Sequence, residues 1–296
     1  MPIKLAFSTV ACPNWTLDEV AKRAAEMGYQ GVELRTLGQG SSMLSSDPAL
    51  TDSAKVADVF SKAGIEPMCL STSIALHHKH DTPARQAMKQ AREAIDLAAA
   101  LGCPYVRLFG HEVRPGDNRR STIIRIAERA SELADRAGEK GVQVLLENAG
   151  SYNTAKEWWW VFNLISNPMV GMCWNVANAA SAGEPPSVSV PNLNSRIRVA
   201  KVKDADIGSG SGFVQLGDGT CEIPQFIKRL MGIGFNGYIT VEWDRLWLGD
   251  ALAPAEEVLP ESHARLTAWI KAITDEMQDA RDKAAAAAAK AAAKKK

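Results

Sequence analysis

The chain lacks the usual marks of a membrane protein, a disulfide framework or a polyanion binder. No apolar run is long enough to span a bilayer, and the N-terminal stretch MPIKLAFSTV has one lysine and an apolar segment of strand length. Such a stretch supports neither a signal peptide nor a transmembrane helix. Cys12, Cys69, Cys103, Cys173 and Cys221 are odd in number, widely spaced and contain no CxxC pair. That pattern speaks against a structural-zinc framework and fits a reducing compartment, so a cytoplasmic protein is expected. Net charge is also missing, since 34 Lys plus Arg balance 34 Asp plus Glu. The total therefore gives no reason to expect nucleic acid.

The zero conceals an asymmetry. Residues 283–296 hold five lysines and no acid, which leaves residues 1–282 with 29 basic against 34 acidic groups, a net of −5. The chain is thus an acidic body with a basic tail. Its 296 residues are 46% hydrophobic and 23% charged, enough to bury a full core.

Short β-branched or apolar runs alternate with Ala-rich segments of helical period, the pattern of parallel βα units. Strands are expected at Ile3–Ser8, Gly31–Leu34, Glu66–Ser71, Tyr105–Phe109, Val142–Glu147, Val170–Trp174, Arg198–Lys203 and Tyr238–Glu242. Helices are expected near Leu17–Met27, Asp52–Ala63, Pro83–Leu101, Arg119–Glu139, Thr154–Ile165, Ile223–Met231 and Pro260–Asp275. Several end at a glycine placed to cap them, as at Gly28, Gly64 and Gly102. The count matches a single-domain α/β TIM (β/α)8 barrel over residues 1–278, followed by an Ala/Lys-rich tail at 279–296. The tail is low in complexity and has no apolar face to bury, so a frayed or disordered appendage is expected. Residues 175–195, with three prolines, read as a long loop containing a short helix. Residues 205–222 read as a Gly-rich loop in which GSGSG (208–212) is a flexible segment rather than a phosphate cradle.

A strand buried on both faces should be apolar throughout, yet charge recurs near the C-terminal ends of these strands. Glu33 and Arg35 end strand two, Arg107 lies in strand four, Glu147 ends strand five, Lys201 and Lys203 lie in strand seven, and Glu242 ends strand eight. Alternation turns Val142, Val144 and Leu146 outward and Glu147 inward. It likewise turns Glu33, Arg107, Lys201, Lys203 and Glu242 into the barrel. Burying so many charges is costly unless they pair or serve a ligand, which favours a polar-substrate site over a stabilising salt-bridge ring.

At these residues the chain resembles the xylose isomerase-like barrels, a group of sugar isomerases and epimerases. The matching segments are GYQGVELR (28–35), LAAALGCPYVRLFG (97–110), VLLENAGSYNTA (144–155), PMVGMCWNVANA (168–179), KVKDA (201–205) and LGDGTCEIPQFIKRLMGIGFNGYITVEW (216–243). The resemblance implies a divalent cation at the barrel mouth, held by Glu, Asp, His and Glu from strands five to eight. Glu147 and Glu242 match the two Glu positions. Asn175 stands at the Asp position and Lys201 at the His position, while Ala149 and Asn178 replace residues that are often His. An ammonium cannot ligate a metal, so weak Mg²⁺ or Mn²⁺ binding, or none, is expected.

The expected chemistry is isomerisation or epimerisation of a sugar or sugar derivative. Glu147 and Glu242 would act as the acid and base pair and Lys201 would polarise the carbonyl. Glu33, Arg107, His111, Asn175, Lys203, Trp15 and Trp243 are the expected substrate contacts. The alternative is a pseudoenzyme that retains the sugar-binding mouth without turnover. His77, His78 and His80 follow strand three and read mainly as a surface loop. The DNA-repair nucleases of the same superfamily use a histidine-rich zinc cluster, whereas none of the five histidines here lies on strands five to eight. With an acidic body, a nucleic-acid partner is not expected. Trp158, Trp159 and Trp160 lie about 100° apart on one helix, so they cannot all face the core and at least one should be exposed, to cover a loop or meet a second subunit.

Overall fold

A computed structural model describes residues 3–36, 52–208 and 212–293. Eight parallel strands close into a barrel: β1 (Lys4–Ser8), β2 (Gly31–Arg35), β3 (Glu66–Ala75), β4 (Tyr105–Phe109), β5 (Gln143–Glu147), β6 (Val170–Asn175), β7 (Ile197–Val202) and β8 (Tyr238–Val241). Each strand pairs with its sequence neighbours, and β8 closes the ring on β1 with Lys4 opposite Tyr238. The expected strand positions hold to within a residue or two at most ends; β3 runs four residues further than expected. The outer helices are α1 (Leu17–Met27), α2 (Ser53–Ala63), α3 (Asp81–Leu101), α4 (Arg119–Glu139), α5 (Ala155–Asn163), α6 (Val176–Ser181), α7 (Pro186–Leu193), α8 (Ile223–Gly232), the short α9 (Arg245–Leu248) and α10 (Ala255–Ala293).

The local rules behind these elements are visible at their ends. Thr16 and Glu19 form a capping box that starts α1, and Gly28, with φ of 86°, closes it in the left-handed conformation. The hydrophobic side chains divide as alternation requires. Val142, Val144, Leu146, Ile239 and Val241 join the large outer core between sheet and helices. Ala6, Met68, Cys69, Leu145, Cys173, Val199 and Tyr238 fill the barrel interior. Cys69, Leu145, Cys173 and Val199 each lie two residues before a polar residue of the mouth, so an apolar plug floors the polar layer. All five cysteines are free and buried.

Several expectations are corrected. Residues 175–195 form two helices, α6 and α7, rather than a loop with one. Asn175 caps α6 through its side chain, and Pro185 and Pro186 stand at the start of α7, where a missing N–H costs no helical bond. The last helix begins at Ala255, so Pro260 lies inside it, and it continues unbroken to Ala293. The Ala/Lys segment is therefore helical rather than frayed, although its described side chains from Lys283 onward are exposed. High alanine propensity sustains that helix without packing. The loop after β7 contains a two-residue antiparallel ladder, Asp204–Ala205 with Phe213–Val214. The buried Asp204 carboxylate accepts from the N–H groups of Gly217, Gly219 and Cys221. Residues 209–211 of the GSGSG segment lie outside the described residues.

On α5, Trp158 is fully buried while Trp159 and Trp160 are 46% and 55% exposed. His77 is buried, contrary to the surface reading, and its ring packs on His78. Among the described residues no helix is long and apolar enough to cross a membrane.

Candidate active site

The strand register carries the inward charges to one level at the C-terminal mouth. Ser8 lies opposite Glu33, Asn175 opposite Lys201, and Thr240 opposite Lys201 on the other side. Glu242 follows the last residue of β8, its N–H held by the Val202 carbonyl. Lys201 is the centre of the arrangement. Its Nζ lies 3.0 Å from Glu33 Oε1, 3.2 Å from Glu147 Oε2 and 2.7 Å from Glu242 Oε2. Arg107 Nε lies 2.9 Å from Glu147 Oε2, and its Nη atoms donate to the Thr72 carbonyl and the Ser71 hydroxyl. Lys203 Nζ bridges Glu242 Oε1 at 2.9 Å and Asp244 Oδ2 at 3.0 Å.

Nearly all of these groups are out of water. Glu33, Arg107, Glu147, Asn175 and Lys201 are buried, and the Lys201 side chain is only 1% exposed. Burial pushes the Lys201 ammonium toward neutrality, but Glu147, Glu242 and Glu33 outweigh it and hold its ionisation well above the ordinary lysine range. Burial likewise pushes Glu242 up, and Lys201 and Lys203 overcome this to hold it well below the usual carboxylate range. Asp244 moves the other way, raised by burial and then by Glu242. Lys201 therefore stays protonated, which disfavours Schiff-base chemistry because that requires a neutral amine.

Asn175 decides how well the mouth suits a metal. Its Oδ1 accepts from the N–H groups of Ala177 and Asn178, so its Nδ2 faces the carboxylates, 3.2 Å from Glu242 Oε1 and 3.4 Å from Glu147 Oε1. The amide thus presents a donor, not a ligand, to the space between Glu147 and Glu242, and an ammonium already lies within 3.2 Å of both. These residues do not fit a divalent cation, which requires several oxygen or imidazole ligands and no cation among them. Among the described residues, no group of three or more His, Cys, Asp and Glu is arranged to hold one.

The remaining expected contacts separate from this cluster. Trp243 belongs to the outer core and donates its Nε1–H to the Ala253 carbonyl, because alternation turns it away when Glu242 points inward. Trp15 also lies in the outer core, against Phe7 and under the Arg23 guanidinium, and donates to Glu256. Neither ring walls the carboxylate cluster. His111 has its ring beside Phe109 and His77 and a backbone φ of 103°, in the region that favours glycine. Its carbonyl accepts from the Ser151 N–H, which ties the β4 loop to the β5 loop.

Two charged members were not among the expected contacts. Asp244 lies just past the strand, where alternation no longer guides a reading. Arg35 sits two residues after Glu33, and the same alternation that turns Glu33 inward also turns Arg35 inward. With them the described residues of the mouth include four carboxylates (Glu33, Glu147, Glu242, Asp244) and four cations (Arg35, Arg107, Lys201, Lys203).

Comparison with known proteins agrees with this architecture. Fructoselysine 3-epimerase from Shigella flexneri is 22% identical over 189 residues, which cover 62% of this chain and 67% of that protein. The structure of an L-ribulose 3-epimerase superposes with a TM-score of 0.78 at 13% identity, covering 93% of this chain and 97% of the other. A structure of the IOLI protein with a bound zinc atom superposes with a TM-score of 0.74 at 20% identity, covering 90% and 98%. The family model described as xylose isomerase-like TIM barrel matches residues 21–271, and the chain belongs to that family.

Proposed function

We propose that the protein is a sugar or sugar-derivative epimerase or isomerase that moves a proton next to a carbonyl, with Lys201 standing where relatives would hold a cation. One observation carries this reading: Glu147 and Glu242, from opposite sides of the mouth, both touch the Lys201 ammonium, at 3.2 and 2.7 Å. Removal of a carbon-bound proton beside a carbonyl leaves negative charge on the carbonyl oxygen. A fixed ammonium in a dry site stabilises that charge, and two carboxylates can take the proton and return one to the other face. Asn175, bonded to both carboxylates, positions them relative to each other. Arg107 shares Glu147 Oε2 with Lys201, and Lys203 holds Oε1 of Glu242, the oxygen that Lys201 leaves. The substrate would be a small carbohydrate, as the names of the epimerase relatives suggest, and the five reduced, buried cysteines fit a cytoplasmic setting.

The test is solvent-deuterium exchange into a panel of ketoses and aldoses in the presence of chelator, followed by mass or proton spectroscopy. Exchange at a carbon next to the carbonyl, lost in Glu147→Gln and Glu242→Gln, supports the reading; absence of exchange on every sugar opposes it. A second reading is favoured by the closure of the ion pairs upon one another, with Glu33, Glu147 and Lys201 all buried. It is a sugar-binding protein of this fold without turnover. Ligand binding with no exchange would select it.

A further inference from the structure

β2 places two charges at the mouth, and only the first has an ionic partner. Glu33 meets Lys201, whereas Arg35 has no carboxylate within 4 Å among the described residues, although its residue is 5% exposed. The other two cations buried here, Arg107 and Lys201, each touch a carboxylate. Arg35 is held by neutral groups. Nη1 donates to the carbonyls of Thr36 and Ser71, and Nη2 donates to the Ser73 hydroxyl at 2.6 Å. Burial first, and the nearby Arg107 charge next, lower its ionisation to about 10, and the pull of Glu33, Glu147 and Glu242 from a distance does not offset them. The guanidinium is still charged at neutral pH, without a counter-ion in contact.

A guanidinium offers five N–H donors, and three are used here. Those remaining are Nε–H and one hydrogen of Nη2, which share one edge of the planar group when Ser73 takes the Nη2 hydrogen on the Nη1 side. That edge matches two oxygens of a carboxylate or a phosphate. Ser73 beside it is exposed, and the Trp247 ring, 53% exposed, lies 5.7 Å from the guanidinium carbon. The fork therefore borders solvent at the rim of the mouth, beside an apolar face of the kind on which a sugar ring stacks.

We propose that Arg35, with Ser73 and Trp247, forms a subsite for an oxyanion on the substrate, a carboxylate or a phosphate carried away from the carbon that exchanges its proton. This deepens the epimerase reading and rests on it for the location of the reacting carbon. It is measured by binding, so a protein that binds but does not exchange would sink the epimerase reading and leave the subsite standing.

The experiment is titration calorimetry of the full chain with D-fructose, D-fructose 6-phosphate and D-fructuronate, which differ only in the group at one end. One of the two anions should bind at least tenfold more tightly than fructose, as expected of a charge-assisted bidentate contact, and which one does so identifies the source of the oxyanion. In Arg35→Gln that ratio should fall to within about twofold of unity. Arg35→Lys keeps the charge but not the fork, and covers the case in which Gln impairs folding; its ratio should fall at least threefold. Anions that bind no better than fructose, or not at all, overturn the proposal. So does a wild-type ratio that survives in either variant.

Discussion

Replacing Lys201 with methionine removes a cation shared by two buried carboxylates, Glu33 and Glu147, and the partly buried Glu242, and the structure says which of them suffers. Glu147 retains Arg107 at 2.9 Å and Glu242 retains Lys203 at 2.9 Å, but among the described residues Glu33 has no other cation within 4 Å. Both Glu33 oxygens are buried and, among the described residues, have no hydrogen-bond donor besides that ion pair. Removing one partner of a buried pair typically costs about 3–5 kcal/mol, and Lys201→Met should fall in that range at pH 8, read from urea unfolding. Adding Glu33→Gln should recover at least half of the deficit relative to wild type, and more than Glu147→Gln or Glu242→Gln does. A deficit below about 1 kcal/mol at pH 8, or one that Glu33→Gln does not relieve, would refute the reading of Lys201 as the charge holding this mouth together.

Other elements give simpler tests. His77 is lowered to about 4 by burial and then by His78, Arg114 and His111, against about 6.5 for a free histidine, so it folds in the neutral state. Stability should fall as pH drops from about 6.5 through 4 and change no further on its account below that, and His77→Gln should flatten this part of a Tm against pH curve. At Gly150, with φ of 64°, an added Cβ would lie 2.4 Å from the His111 carbonyl oxygen. Gly150→Ala should cost about 1–3 kcal/mol by urea unfolding, because it combines a left-handed backbone with a backbone clash; a neutral outcome would show that the two loops are not clamped there. Deleting residues 283–296 should leave Tm and any proton exchange unchanged, since the described side chains of that segment are exposed. A marked fall in Tm would show that the helical extension packs on the body.

Period and alternation made most of the barrel legible, and Tyr105–Phe109, Leu17–Met27 and Arg119–Glu139 fall where the pattern puts them. The reason is that a parallel strand is buried on both faces, so an inward charge such as Lys201 or Glu147 is conspicuous among apolar neighbours. What stayed hidden lies where that contrast fails. Asp244 follows the end of β8, so no strand period assigns its direction. Trp15 and Trp243 stand near mouth residues in sequence but pack in the outer core, and Trp243 has the opposite parity to Glu242 and so turns outward. The two helices in 175–195 were masked by their prolines, two of which stand at a helix start. The partner of Asn175 was also invisible, because which end of an amide faces a carboxylate depends on the helix that Asn175 itself caps.

An ammonium, not a divalent cation, lies among Glu33, Glu147 and Glu242. Titration of chelator-treated protein with Mn²⁺ in a calorimeter checks this, beside the double variant Lys201→His with Asn175→Asp, which supplies the ligand types that the family resemblance implies. The wild type should show no saturable binding and the double variant a one-to-one isotherm. Tight one-to-one binding of Mn²⁺ by the wild-type chain would contradict it.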